Sequence, residues 1–264
     1  MKRRPIVLAA ALMAILATPA EASDAAHPKR KVFGPSENPC ETKLAKRLLC
    51  PNLRIGPPRG LYVEEQGAGR VLLRATSDVR SRGRGPIELV GHRNGWRSMR
   101  TNQRIQRVGG GRLTVRSRAK LRFTDVGNRF GGAYWKVHQL ARFDLRRMRP
   151  DGSLGRTVRR SPKLNYCLRD LERTRPDRRS PAQRVYPACN QNRYRGRVRL
   201  GTSVGWSDIY PAPYHQQWIN VAGLRGCFAY EMTVDPKQLL FESNENDNSA
   251  RRLVRLPYRG RPGC

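Results

Sequence analysis

The segment from residue 111 to 127, GRLTVRSRAKLRFTDVG, alternates apolar with polar or basic residues over almost its whole length. Its apolar residues stand mostly at two-residue spacing: Leu113, Val115, Ala119, Leu121 and Phe123. In an extended chain this period puts successive apolar side chains on one face. The segment therefore predicts a half-buried β-strand.

Similar short extended runs recur along the chain, bounded by turn residues. They are GRVLLRATSDVRSRG (69–83), KVHQLARFDLRRMRPDGSLGRTVRR (136–160), GCFAYEMTVDP (226–236) and ARRLVRLPYRG (250–260). The second run is interrupted by Pro150-Asp151-Gly152, a turn signal between two strands. Strong helical periodicity is confined to ETKLAKRLLC (41–50). These patterns predict an all-β fold, an antiparallel β-sandwich with long loops at 84–111 and 170–200.

The N-terminus has the order of an export signal. Lys2, Arg3 and Arg4 precede an apolar run that is too short to span a bilayer, and Ala20-Glu21-Ala22 offers a small-x-small cleavage site. A short apolar helix is the alternative. We therefore expect a signal peptide (1–22), a flexible arm (23–49) and one domain (50–264) that is secreted or periplasmic and has no membrane span.

Six cysteines fit an oxidising compartment, where an even count usually means disulfides. Six cysteines allow 15 pairings. We favour the sequence neighbours: Cys40 with Cys50, Cys167 with Cys189, and Cys227 with Cys264.

The formal net charge is +33, and 44 of the 53 basic residues are arginines. A field of this sign attracts polyanions. For an exported protein, an acidic polysaccharide, an anionic surface or an acidic protein is a more plausible partner than nucleic acid, because the sequence shows neither a helical basic stripe nor interleaved aromatic residues. The alternative is a GC-rich genome that supplies arginine codons for a well-solvated surface.

Several common sites are missing from the sequence. It contains no G-x-x-x-x-G-K-[ST], G-x-S-x-G or H-E-x-x-H motif, and VGGGR (108–112) is more typical of a hairpin turn than of a phosphate-binding loop. The four histidines, His27, His92, His138 and His215, have no metal-ligand spacing.

A series of segments nevertheless resembles, in order, the bacterial form of the lysyl oxidase catalytic domain over residues 50–257. The K-x-x-[FY]-C-L-x-D and W-x-D-x-Y…Q-W-[IV]-[ND]-[IV] elements are specific together. The segments are CPNLRI (50–55), RVLLRATSDVRSRGRGPIEL (70–89), ARFDLRRMRPDG (141–152), KLNYCLRD (163–170), GTSVGWSDIYPAPYHQQWINVAGLRGCFAYEMTVDP (201–236) and ESNENDN (242–248).

The resemblance implies a copper amine oxidase that converts peptidyl lysine or other primary amines to aldehydes. Its cofactor is lysine tyrosylquinone, made from one lysine and one tyrosine of the chain, and these roles fall on Lys163 and Tyr210. An electrophilic quinone takes up the substrate amine as a Schiff base. Alternatively, Lys163 is an ordinary strand lysine and Tyr210 a packed aromatic residue.

The family's copper ligands, a His-x-His-x-His run, are not found. Aligned without a gap, the ligand positions hold Gly131, Ala133 and Trp135; aligned on the aromatic residue between the last two histidines, they hold Gly132, Tyr134 and Lys136. His138 lies nearby and is a weak copper candidate that would need His92 or His215 to join it. Lys136 would place a positive charge where a cation should bind.

The resemblance also implies a calcium site of hard oxygen ligands. It would combine the loop ESNENDN with the start of the domain, using Glu242, Asn244, Asp247, Asn248, Asn52 and the backbone oxygen of Leu53. A polar turn held by side-chain hydrogen bonds is the alternative.

Two functional hypotheses follow. The first is an amine oxidase that uses Lys163, Tyr210 and copper. The second, favoured by the missing histidines, is a non-catalytic basic β-sandwich that binds an anionic partner at the cell surface or outside the cell.

Overall fold

The computed structural model describes residues 37–264. The predicted signal peptide and the first part of the predicted arm, residues 23–36, lie outside the described residues. Three short 3₁₀ helices are Pro39–Glu41, Lys43–Arg47 and Asn128–Phe130. The strands are β1 (Leu48–Leu49), β2 (Leu53–Ile55), β3 (Arg59–Gln66), β4 (Arg70–Ser81), β5 (Ile87–Gly95), β6 (Ser98–Arg107), β7 (Arg112–Asp125), β8 (Ala133–Val137), β9 (Ala141–Met148), β10 (Leu154–Arg160), β11 (Glu172–Arg173), β12 (Arg197–Thr202), β13 (Trp206–Tyr210), β14 (Trp218–Asn220), β15 (Gly226–Val234) and β16 (Ser249–Leu256).

The strands form three antiparallel sheets, which confirms the all-β prediction in its coarse form. One sheet has the order β12-β5-β6-β7-β8, with β1 on β6; a second has the order β10-β9-β15-β16. The third has the order β11-β13-β4-β14, with β2 and β3 also on β4. The prediction of two sheets missed this third sheet, which exists because the 12-residue strand β4 changes neighbours along its length.

The main hydrophobic core draws buried side chains from all three sheets. Leu121 of β7, Phe143 of β9 and Leu73 of β4 are fully buried in it. The even-numbered residues of β7 from 112 to 122 are exposed, and the odd-numbered residues between them are buried. This alternation confirms the strand that the sequence predicts at 111–127, and the hairpin turn at 108–112 joins it to β6.

The predicted loop at 84–111 is wrong, because this segment forms β5 and β6. The inward-facing residues of β6 include polar ones, so its sequence does not show the alternation of apolar and polar residues that predicts a half-buried strand. Gln103 is fully buried and exchanges two hydrogen bonds with the backbone of Phe241, at 2.7 and 2.8 Å. The other predicted loop, 170–200, contains only β11 and the start of β12.

Three disulfides join the cysteines in the predicted pairs: Cys40–Cys50, Cys167–Cys189 and Cys227–Cys264. The first of them holds the two N-terminal 3₁₀ helices beside a small second core that contains Leu48 and Ile105. The packed domain therefore begins before residue 50, within the segment that the sequence assigns to the arm.

Candidate functional site

Lys163 lies between β10 and β11, and its side chain enters the protein interior. It is 1% exposed, and its Nζ has no hydrogen-bond partner among the described residues. Three aromatic rings surround this amine, at 3.9 Å to the ring centroid of Tyr210, 4.6 Å to that of Tyr166 and 5.3 Å to that of Tyr214. We call these three residues the tyrosine cage. The two residues proposed from the sequence as a pair, Lys163 and Tyr210, are thus in contact.

Tyr210 is held at the end of β13 by packing and by one hydrogen bond. Its ring meets those of Tyr166 and Tyr214 edge to face, with centroids 4.7 and 5.0 Å apart. Its hydroxyl oxygen accepts a hydrogen bond of 3.0 Å from the backbone N–H of Cys167. Because Cys167 is tied to Cys189, the phenol is anchored to a cross-linked segment.

The buried position changes the protonation of these groups. Burial lowers the pKa of Lys163 well below its usual 10.5, and the positive charge of Lys136 lowers it further, whereas the carboxylate of Asp208 opposes the shift. Burial also raises the pKa of Tyr210 well above 10. The arrangement therefore favours a neutral amine beside a neutral phenol.

Lys136 reaches the same region from β8. Its Nζ lies 4.7 Å from the ring centroid of Tyr134, whose hydroxyl is hydrogen-bonded to that of Tyr214. Burial lowers the pKa of Lys136 to about 8. Trp135, between them in sequence, packs instead against Phe123. Tyr134 and Lys136, which one of the two alignments places at the histidine positions, therefore face the tyrosine cage.

Asp208 supplies the buried negative charge. It is fully buried on β13, and one of its oxygens lies 3.9 Å from Nε of Arg169. Burial raises the pKa of Asp208 to about 7, opposed by the charges of Arg169, Lys163 and Lys136. A cavity of about 240 Å³ borders this cluster and is lined in part by Arg169, Tyr134 and Tyr214. Small polar molecules can therefore approach the tyrosine cage from that side.

The structure does not bring the described histidines together. His92 is exposed on β5, His138 lies 3.0 Å from the side-chain oxygen of Asn165, and His215 packs beside Phe130. Within residues 37–264, the group of three or more metal-ligating side chains is acidic and contains no imidazole. The described histidines therefore do not fit the copper centre of the family that the sequence resembles.

Four of the six predicted calcium ligands, Glu242, Asn248, Asn52 and Asp247, lie in a hydrogen-bonded group at the start of the domain. Glu242 is fully buried, accepts the backbone N–H of Leu53 and receives a 3.3 Å hydrogen bond from the amide of Asn248. The amide of Asn52 donates to Asp247 at 3.1 Å. The remaining side-chain oxygens of Asn52, Asp247 and Asn248 are buried and have no partner in the described part of the chain. Three orphaned oxygens beside a carboxylate suit a hard cation.

Two further acidic residues, which the sequence reasoning missed, belong to this end of the domain. Asp235 and Glu245 each place a carboxylate oxygen within 4.8 Å of the others and of Glu242. Burial is the main cause, with the neighbouring carboxylates, of a pKa of about 7 for Glu245 and of a pKa well above 4.5 for Glu242. Asn244 faces its own loop, where it accepts the backbone N–H of Asn246 at 3.0 Å.

No protein-family model matches the chain, and no curated protein sequence is significantly similar to it. In the described residues, no helix is long and apolar enough to cross a membrane.

Proposed function

We propose that the chain is an exported, lysyl oxidase-like domain that retains the quinone-forming residue pair without the copper ligands, and that it acts by binding an anionic partner. The contact between Lys163 and Tyr210 carries the lysyl oxidase-like part of the proposal, and the formal net charge of +33 supports the anionic partner. The two residues were paired from the resemblance alone, they belong to distant segments, and the amine lies 3.9 Å from the ring centroid. The three disulfides suit an exported protein.

The side chains that face the tyrosine cage support a domain that does not bind catalytic copper. Tyr134 and Lys136 are present where the aligned family has imidazoles, and Lys136 contributes a positive charge that opposes a cupric ion. Without a metal oxidant, the ring of Tyr210 stays a phenol, and a phenol is not electrophilic toward the amine of Lys163.

Amine oxidation of peptidyl lysine or another primary amine is the second candidate. The observation in its favour is the same contact, since a buried, neutral amine beside a tyrosine ring is the precursor arrangement that the resemblance implies. It requires a source of copper ligands that residues 37–264 do not supply as a histidine group.

The two candidates are separated by expressing the exported chain with copper and measuring bound copper, quinone staining, peroxide release with a primary amine, and the mass of peptides containing Lys163 and Tyr210. We expect no bound copper, no peroxide and two separate peptides. One copper per chain with a Lys163–Tyr210 cross-linked peptide would establish the amine oxidase instead.

A matched pair of triple variants tests the reason for inactivity. The variant Gly132→His, Tyr134→His, Lys136→His places imidazoles where two side chains already face the tyrosine cage, so we expect it to bind copper. The control variant Gly131→His, Ala133→His, Trp135→His uses the other alignment, and we expect it to bind none. Equal copper binding by both variants would refute the alignment.

The resemblance and the orphaned oxygens together support a structural calcium ion at the acidic end of the domain. Glu242, Asp247, Asn248 and Asn52 would hold it. Its contribution is to neutralise buried carboxylates that otherwise repel one another.

A further inference from the structure

The outward face of the sheet β12-β5-β6-β7 carries a row of basic side chains that runs across four strands. Arg197 pairs directly with His92, His92 with Arg100, and Arg100 with Lys120. All four residues are exposed. Neighbouring strands lie about 4.8 Å apart, and directly paired residues point to the same side of a sheet. The row is therefore a line of three cationic side chains and one histidine on a rigid support.

The charges of this row have no carboxylate partner among residues 38–264. No carboxylate of residues 38–264 forms an ion pair with Arg197, Arg100 or Lys120. The acidic residue on this side of β5, Glu88, is buried and already engaged by Arg104 and Arg199. Like charges directly opposite each other destabilise a sheet, and a bound anion would relieve that cost.

A second row lies beside the first, two residues away along β12, β5 and β6 and four residues away along β7, because the β6–β7 register shifts between Arg100 and Asn102. Arg199 pairs with Val90, Val90 with Asn102, and Asn102 with Arg116. Arg199 and Arg116 stand at the two ends of this second row, with buried Val90 and half-buried Asn102 between them. The two rows together form a basic patch. We call the basic residues of the two rows the basic face: Arg197, His92, Arg100, Lys120, Arg199 and Arg116.

Two exposed aromatic rings lie at one end of this sheet. Trp96, in the turn between β5 and β6, is 63% exposed, and Tyr194, just before β12, is 68% exposed. Their rings meet edge to face at 5.9 Å, and the guanidinium of Arg193 lies 4.9 Å from the Trp96 ring centroid. Exposed rings of this size are costly to leave in water and are typical of contact surfaces.

We propose that the basic face binds an acidic polysaccharide, with its anionic groups on the arginines and lysine and one sugar ring against Trp96. This inference rests on the anionic partner of the proposed function and specifies its site and chemical class. A single-stranded nucleic acid fits less well, because the two rows contain no phenylalanine, tyrosine or tryptophan, whereas such binders stack successive bases on these rings along the charged track.

The test measures binding of the whole exported chain to polygalacturonate, which carries carboxylates, and to dextran sulfate, which carries sulfates. Neutral dextran and oligothymidylate are the comparison ligands, and each binding is measured at several salt concentrations. The variant Arg100→Gln, Lys120→Gln removes two charges from the first row. The matched control Arg156→Gln, Arg251→Gln removes two exposed charges from β10 and β16. A third variant, Trp96→Ala, removes the larger ring.

We expect the first variant to weaken binding to the preferred polysaccharide about ten-fold near physiological salt and to lower the salt dependence of binding, since fewer charge contacts release counterions. The control should change affinity less than two-fold, and Trp96→Ala should weaken binding without altering the salt dependence. In the unmodified chain, bound polysaccharide should protect Lys120 from amine-modifying reagent. Preference for sulfate or for carboxylate identifies which acidic group the face selects.

Three outcomes would overturn the inference. Equal weakening by the two double variants would show that binding depends on net charge alone. Tighter binding of oligothymidylate than of either polysaccharide at equal salt would leave an anionic partner in place but make it a nucleic acid. Failure to bind any of these polyanions at physiological salt would remove the anionic-partner function together with this site.

Discussion

The amine of Lys163 lies over the face of the Tyr210 ring, 3.9 Å from its centroid. A buried amine without a hydrogen bond is costly unless its charge is lost or is balanced. Here the aromatic faces of the tyrosine cage and the carboxylate of Asp208 supply part of that balance, and the lowered pKa of Lys163 supplies the rest. The contact is therefore supported by the chain's own residues.

The substitution Tyr210→Phe tests whether this residue is a structural phenol. It keeps the ring beside Lys163 but leaves the buried N–H of Cys167 without its acceptor. An unsatisfied buried donor costs about 1–3 kcal/mol, so we expect the free energy of unfolding to fall by that amount in denaturant titrations. Tyr194→Phe, at an exposed ring, should change it by less than about 0.5 kcal/mol. Equal stability of Tyr210→Phe and the parent chain would contradict this role.

The substitution Lys136→Met tests the buried charge through the pH dependence of stability. Because the pKa of Lys136 is about 8 when folded and 10.5 when unfolded, the unfolded chain binds more protons between these values. Stability contributed by this residue therefore rises with pH across that window, by up to about 1.4 kcal/mol per pH unit. The lowered pKa of buried Lys163 adds to the same rise. We therefore expect Lys136→Met to reduce the rise, whereas Lys46→Met, at an exposed residue, should leave it unchanged. Parallel stability curves for Lys136→Met and the parent chain would contradict a buried, titrating lysine.

The strand pattern was readable from the sequence wherever inward residues are apolar. β7 and β15 follow this rule, whereas β6 was missed because Thr101 and Gln103 also point inward. Their polar groups are satisfied by the backbones of Ala119 and Phe241, which lie far along the chain. A local pattern cannot show a hydrogen-bond partner that only the folded structure provides.

The sequence predicted only part of the candidate site, for the same reason. Lys163 and Tyr210 came from matched segments, but nothing local marks Tyr166 and Tyr214 as the other walls of the tyrosine cage. Asp208 follows the tryptophan of a matched element, yet its burial is decided by the packing of β13 against β4. The basic face was missed because its charges are scattered in sequence and become a row only through strand register.

The double variant Cys167→Ser, Cys189→Ser tests how the cage is anchored. This disulfide closes a sequence separation of 22 residues over a segment with little regular structure. Removing a cross-link of that span lowers the free energy of unfolding by about 3 kcal/mol through chain entropy. We expect faster proteolysis within 174–196 and greater access of amine reagents to Lys163. If the cleavage pattern and the reactivity of Lys163 stay unchanged, the disulfide does not hold this wall of the site.

Calcium addition tests the acidic end of the domain. A ligand bound only by the folded state, at 100 times its dissociation constant, raises the free energy of unfolding by about 2.7 kcal/mol, and we expect calcium to raise the melting temperature accordingly. Magnesium should stabilise less, because it keeps its water ligands more strongly. Glu242→Gln retains an acceptor for the N–H of Leu53 but removes the buried charge, so it should abolish the calcium effect without destabilising the metal-free chain. Glu172→Gln, at an exposed carboxylate, should leave the calcium effect intact. A melting temperature that calcium does not change, or that it raises equally in Glu242→Gln, would show that the loop is only a hydrogen-bonded turn.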